Sequence, residues 1–157
     1  MDFTRPLQVG EEDAVDALLR AAFNGPAEAT LVRQLRKSKA VAGEMVLPRD
    51  GEIVGYYALS RMVAPKGWLA LAPVAIHPDG SGQRLGKRMM GMLSEWARIS
   101  KIPIVVLGNP DFYEKAGFDR GLAAKLTSPY PVENTMMAGI DAALPKTLIY
   151  PDAFKHL

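Results

Sequence analysis

The sequence contains no cysteine. That excludes a disulfide scaffold, a thiolate nucleophile and any cysteine-ligated metal. Its two histidines, His77 and His156, are too few for a zinc site without carboxylate help, so no metal is expected. No window approaches the roughly 18 consecutive apolar residues of a membrane span. The opening residues, Met1 to Arg5, lack the apolar stretch of a signal peptide, and a cytoplasmic protein without membrane contact is expected. A marked charge of one sign is lacking too. Nineteen Lys and Arg face seventeen Asp and Glu, and a net +2 gives no ground for a nucleic-acid partner. Repeats and low-complexity tracts are absent. What remains is a chain of 157 residues, 48% of them apolar, too apolar for disorder and of a size for one domain, 1–157.

Periodicity supplies the elements. Residues 3–8 read as a short first strand. Val15, Leu18, Leu19, Ala22 and Phe23 recur at helical spacing. Glu11, Glu12 and Asp13 sit at the positive end of that helix, and Asn24-Gly25-Pro26 stops it. Leu31, Val32 and Leu35 mark a second helix. Strands over 43–49 and 52–62 flank Asp50-Gly51, the strongest hairpin signal in the chain. Residues 68–76 read as a central strand. A Gly-rich turn follows, then a long helix with Leu85, Met89, Met92, Leu93 and Trp96 as its buried stripe. The apolar run 102–107 suits a parallel strand covered on both faces. A short helix over 110–116 and two weaker strands, 121–126 and 135–140, complete an α/β chain. Its methionines sit mainly at core spacing.

The turn between the central strand and the long helix carries the clearest chemistry. Gly80, Gly82 and Gly86 let a backbone approach an anion closely, and the free N–H groups of a helix start point at whatever lies there. Arg84, Lys87 and Arg88 recur at i, i+3 and i+4 with no offsetting acid. Cations there oppose the helix dipole at about 0.3–1 kcal/mol each, and a bound polyanion reverses that penalty. The pattern alone fits both a phosphate-bearing ligand and a solvated basic face. It is neither a Walker A loop nor Gly-x-Gly-x-x-Gly, since Leu85 stands where the third glycine belongs.

Two stretches resemble the GNAT superfamily of N-acetyltransferases. Its signature, Gln/Arg-x-x-Gly-x-Gly/Ala, opens a long helix after a central strand. Val74-Ala75-Ile76-His77-Pro78-Asp79 resembles the strand end before it, and Ser81 to Gly86 takes the signature window. Ser81 replaces Gln/Arg, Arg84 replaces the first glycine, and Gly86 matches the last position. Tyr113-Glu114-Lys115-Ala116-Gly117-Phe118 closely resembles the family's late Tyr-Glu-Lys-x-Gly-Phe box. Leu107-Gly108-Asn109-Pro110-Asp111-Phe112-Tyr113, Glu28-Ala29-x-Leu31-Val32-x-x-Leu35-Arg36 and Tyr150-Pro151-x-Ala153-Phe154 are similar to the YhbS-like branch of predicted acetyltransferases.

The resemblance implies a GNAT fold: a mixed central sheet of about six or seven strands, helices on both faces, and central parallel strands that splay apart. It implies acetyl-CoA in that gap as acyl donor. Backbone groups of Val74, Ala75 and Ile76 would pair with the pantetheine amides. Ser81, Gly82, Gln83, Arg84, Leu85, Gly86 and Lys87 would hold the pyrophosphate. Members commonly carry an Asn seven residues before the tyrosine. That position is Val106 here, so Asn109, four before Tyr113, is the candidate for the cofactor contact. Tyr113 takes the position of the acid that protonates the departing thiolate, its alternative being an ordinary packed tyrosine.

The base is less determined. Glu28 heads the stripe Leu31, Val32 and Leu35. It is read as the carboxylate that receives the amine's proton, or equally as an acid meeting the helix dipole. Glu44 and Glu52 read as solvated strand ends, His77 as a turn residue before a proton shuttle, and Asp111 as a helix cap. The apolar tail Leu148-Ile149-Tyr150 with Phe154 suits packing on the sheet, closing the acceptor side, or a homodimer contact. The implied activity is acetyl transfer from acetyl-CoA directly to a primary amine in a ternary complex, the acceptor unspecified. The alternatives are a non-catalytic acyl-CoA-binding regulatory module and a plain nucleotide-phosphate binder.

Overall fold

Asp50 and Gly51 both adopt positive φ, 51° and 81°, as a two-residue hairpin of type I′ demands. This turn joins β2 (Val41–Arg49) to β3 (Glu52–Arg61) and sets their antiparallel register. The computed structural model describes residues 3–79 and 83–156. Its other elements are β1 (Arg5–Pro6), α1 (Glu12–Phe23), α2 (Ala27–Lys37), β4 (Leu69–Ile76), α3 (Gln83–Ser100), β5 (Ile104–Leu107), α4 (Pro110–Lys115) and β6 (Thr135–Ala138). The six strands lie in chain order in one sheet, antiparallel except for β4 beside β5. No helix among the described residues is long and apolar enough to cross a membrane.

Period-two alternation sorts the strand residues between two helical layers. Leu47, Tyr57, Leu59, Leu71, Ile104, Val106 and Met136 face α3. Their neighbours Val46, Tyr56 and Ala58 face α1 and α2, while Ala70, Val105 and Met137 face α2 and the C-terminal segment. Leu148 and Phe154 bury with Leu31 and Leu35, and Ile149 exchanges backbone hydrogen bonds with Ala64 at 2.9 and 3.2 Å. Of the three uses open to the tail, packing on the sheet is the one the structure displays.

Several expectations shift. Residues 121–126 form no strand. Asp119 Oδ1 accepts the Gly121 N–H at 2.7 Å and starts a 3-10 turn, Gly121–Ala123, which buries Ala123 and Leu126. The last strand stops at Ala138 because Gly139, at φ 93°, has its α-carbon against the Ile102 carbonyl, where a Cβ would lie 2.0 Å from the oxygen. The first strand shrinks to two residues, since Pro6 offers no N–H to a ladder. The buried stripe of α3 is rotated: Met90 and Ala97 are buried, while Trp96 is 44% exposed.

One strand feature governs the centre of the sheet. Leu59 pairs with Leu71, but Tyr57 pairs with Val74. One extra residue is therefore accommodated on β4, at Ala72-Pro73. A proline within an inner strand belongs at such a bulge, because it cannot donate to the ladder. β4 pairs with β5 at Leu69, Ala70 and Leu71. Past the bulge β4 keeps β3 as neighbour and β5 keeps β6. A gap opens between the two parallel strands.

Glu44 is no solvated strand end. Its side chain, 11% exposed, accepts from Arg36 Nη2 of α2 at 2.7 Å and from the Tyr56 hydroxyl of β3 at 2.6 Å. Burial, with the carboxylate beside it, holds the Tyr56 phenol well above its usual range. Glu44→Ala strands a guanidinium and a buried hydroxyl, and is expected to lower stability by about 2–4 kcal/mol in urea denaturation; Tyr56→Phe should cost about 1–2 kcal/mol. Arg5 Nη1 and Nη2 hold Glu11 at 2.8 and 2.7 Å, tying β1 to the start of α1. That hydrogen bonding lowers the Glu11 carboxyl from 4.5 to about 2. Because the folded value is depressed, the tie is complete above pH 4.5 and is lost as pH falls through about 2. Amide exchange at Leu7 and Gln8 is expected to accelerate in that window, beyond its intrinsic pH dependence, and not to do so in Glu11→Gln.

Candidate active site

The site assembles at the C-terminal end of β4. The His77 N–H donates to Val54 O at 2.8 Å, and Ala75 lies opposite Tyr56 in the same register. Antiparallel alternation then commits the polar backbone groups of Ala75 to β3 and turns those of Val74 and Ile76 toward the β5 side. Of the three strand residues expected to contact a ligand through their backbone, two present N–H and C=O groups to the gap. The His77 ring serves the turn: its Nδ1 accepts the Asp79 N–H at 3.1 Å.

Ser81 and Gly82 lie outside the described residues, and α3 begins at Gln83. No acid occupies its first turn. Leu85 is buried in the core, which leaves its backbone as the part available to a ligand. Arg84, Lys87 and Arg88 are exposed. A hollow of about 230 Å³ lies between Arg49, Arg84, Leu85 and Arg88. Arg49 comes from the end of β2, beside the hairpin. Nothing in the linear pattern near the Gly-rich turn pointed to it; register alone brings it there.

At Gly86 α3 comes close to its surroundings. A Cβ there would sit 3.3 Å from the Phe112 ring and 3.4 Å from Ile76. Phe112 thus bridges α4 to the β4 end and the α3 start, a contact sequence reading missed. Tyr113, the next residue, packs edge-to-face on Phe112 at 4.9 Å and on Phe118 at 5.8 Å. Burial pushes its phenol up to about 12, and its hydroxyl has no hydrogen-bond partner among the described residues. Asn109, not Asp111, caps α4: its side chain accepts the Asp111 N–H at 3.0 Å. Its oxygen is engaged in holding the short helix that carries Tyr113.

Glu28 stands in the first turn of α2, half-buried on the same stripe as the buried Leu31, Val32 and Leu35. Ala29 and Val32 pack in one cluster with Ala75, and Leu31 in another with Ala70 and Ala72. With α1, whose Val15, Leu18 and Leu19 share the cluster of Ala75, α2 forms the helical layer on the face opposite α3. Glu28 has no ion pair or hydrogen bond among the described residues. The structure brings Ile76, Gly86, Phe112 and Tyr113 together on one face; Glu28 belongs to the helical layer on the other and is not brought to them.

The arrangement suits an extended ligand with amide groups along β4 and negative charge toward α3. Gly108 sets the position of Tyr113, since a Cβ at residue 108 would come within 2.6 Å of the Tyr113 ring. Gly108→Ala is expected to force that ring aside and lower stability by about 1–3 kcal/mol, read from the urea midpoint.

This chain is similar to several known proteins. Residues 42–120 match the model of the acetyltransferase (GNAT) domain. The uncharacterized N-acetyltransferase YhbS of Escherichia coli K12 is 32% identical over 126 residues, spanning 74% of this chain and 73% of the relative. The crystal structure of YhbS from Escherichia coli in complex with CoA has a TM-score of 0.84 at 24% identity, covering 98% of this chain and 92% of that one. A GNAT family acetyltransferase from Brucella melitensis in complex with acetyl-CoA has a TM-score of 0.79 at 22% identity, with 98% of both chains covered. With half the chain matched by the domain model and a relative above 30% identity, this protein belongs to the GNAT acetyltransferase family.

Proposed function

We propose that this protein is an acyl-CoA-dependent N-acyltransferase that moves an acetyl group from acetyl-CoA directly to a primary amine, both bound at once. The observation that carries this reading is the gap between β4 and β5, with the polar groups of Val74 and Ile76 turned into it and Tyr113 beside its mouth. The relatives in complex with CoA and acetyl-CoA support the choice of donor. In this reading the pantetheine amides extend the sheet along β4. The pyrophosphate meets backbone N–H groups of Gly82, Gln83 and the residues through Lys87, with Ser81 at the loop. Arg84 and Arg88 add charge, joined by Arg49 from the hairpin. Ala75 contributes shape rather than hydrogen bonds, and Asn109 acts by capping α4.

The chemistry then needs two proton movements. The neutral amine attacks the thioester carbonyl, forming a C–N bond; the C–S bond breaks and the thiolate departs. The proton lost by the amine nitrogen goes to Glu28, directly or through water. Tyr113 donates its hydroxyl proton toward the sulfur and recovers it from solvent after release. A phenol at about 12 is a weaker acid than a free thiol near 8.5. Desolvation raises a thiol as well and narrows that difference. The hydroxyl also stays protonated across the working range, as a donor must. With no cysteine in the chain, a cysteinyl-acyl intermediate has no nucleophile.

Steady-state assay of CoA release over a panel of amines tests this. Tyr113→Phe should lower kcat about 10²-fold with the KM for acetyl-CoA within about three-fold. Glu28→Gln should lower kcat at least about ten-fold. CoA binding without turnover on any amine would favour the regulatory module instead.

A further inference from the structure

A second concavity lies on the α3 side of the sheet, away from the gap. It holds about 430 Å³ and is bounded by Met45, Tyr57, Leu59, Leu69, Leu93 and Trp96. Leu69 is the first residue of β4, at the end opposite Ile76, and Leu93 and Trp96 lie two to three turns along α3 from Gly86. The hollow has a specific cause. β2 carries an irregularity between Val41 and Gly43, after which Gly43 pairs with Leu59. Gly43 is on the α3 side by alternation with Met45 and Leu47, and a Cβ there would meet nothing within 4 Å. The side chain that would fill this part of the interface is missing.

We propose that this hollow is a binding site for a small, neutral, mainly hydrocarbon molecule bearing one hydrogen-bonding oxygen. The chemistry of the walls selects that class. The described lining has no charged side chain, so an ionised ligand would be desolvated without compensation. The volume and apolar lining are those of small-molecule pockets, in which a few polar groups set orientation. Tyr57 supplies such a group. It is 5% exposed, its hydroxyl has no hydrogen-bond partner among the described residues, and burial pushes its phenol up to about 12, so it remains a neutral donor. That hydroxyl is therefore available to pair with a ligand oxygen. Trp96, 44% exposed, forms the lip.

Trp96 also provides the readout, because the chain's other tryptophan, Trp68, is buried in the cluster on the opposite face. Titrating the full chain with 1-octanol should give a saturable change in tryptophan emission, and octanoate at pH 8 should bind at least about ten-fold more weakly. Tyr57→Phe should weaken octanol by about three- to ten-fold. Gly43→Leu fills the hollow from an unstrained backbone position and should abolish the response while leaving the thermal midpoint unlowered. Absence of saturation in the wild type, octanoate binding as tightly as octanol, an unchanged affinity in Tyr57→Phe, or an undiminished response in a folded Gly43→Leu each overturns the proposal.

Discussion

A strand interior that must accommodate a proline cannot keep a complete ladder, and the centre of this sheet is organised around that constraint at Pro73. The bulge at Ala72-Pro73 absorbs one residue against β3 and coincides with the end of the β4–β5 pairing at Leu71. The strands then part while each keeps its outer neighbour. Backbone groups that a continuous sheet would have used internally are left for something else. An extended ligand with its own amides is the natural complement, because it replaces the missing strand.

Charge and packing are divided around this opening. The positive charge at the start of α3 is unfavourable for the isolated helix, yet it faces a hollow to which the β2 end adds Arg49. On the same side, Phe112 fills the angle between Gly86 and Ile76 and Gly108 admits the Tyr113 ring. On the opposite face, α2 is held to the sheet by Arg36, Glu44 and Tyr56. That network positions the helix carrying Glu28. The acid and base of the proposed reaction thus come from two layers of the fold, and the gap is where the layers meet.

Much of this was legible in local pattern. Asp50-Gly51 specified a hairpin because its dihedrals suit little else. The α1 and α2 stripes held because amphipathic helices bury one face. The misplacements have equally local causes. An Asp119 hydrogen bond starts a 3-10 turn at Gly121–Ala123 where a strand was expected, and Asn109 rather than Asp111 caps α4. Along α3, burial followed Met90 and Ala97 instead of Met92 and Trp96, because the sheet next to that flank has a glycine where a side chain would have met them.

The sequence by itself determined the element types, the Gly-rich turn with its cations, the tyrosine box and the absence of a cysteine route. These depend on dihedral preferences, periodicity and composition, which act over a few residues. Only the tertiary structure decided that Arg49 joins Arg84 and Arg88, that Glu44 is buried under α2, that Ala75 spends its backbone groups on β3, and that Gly43 opens a hollow beneath Trp96. Each of these is a relation between residues far apart in the chain. Such relations depend on strand register and on how two layers pack, and no local window of the sequence encodes either.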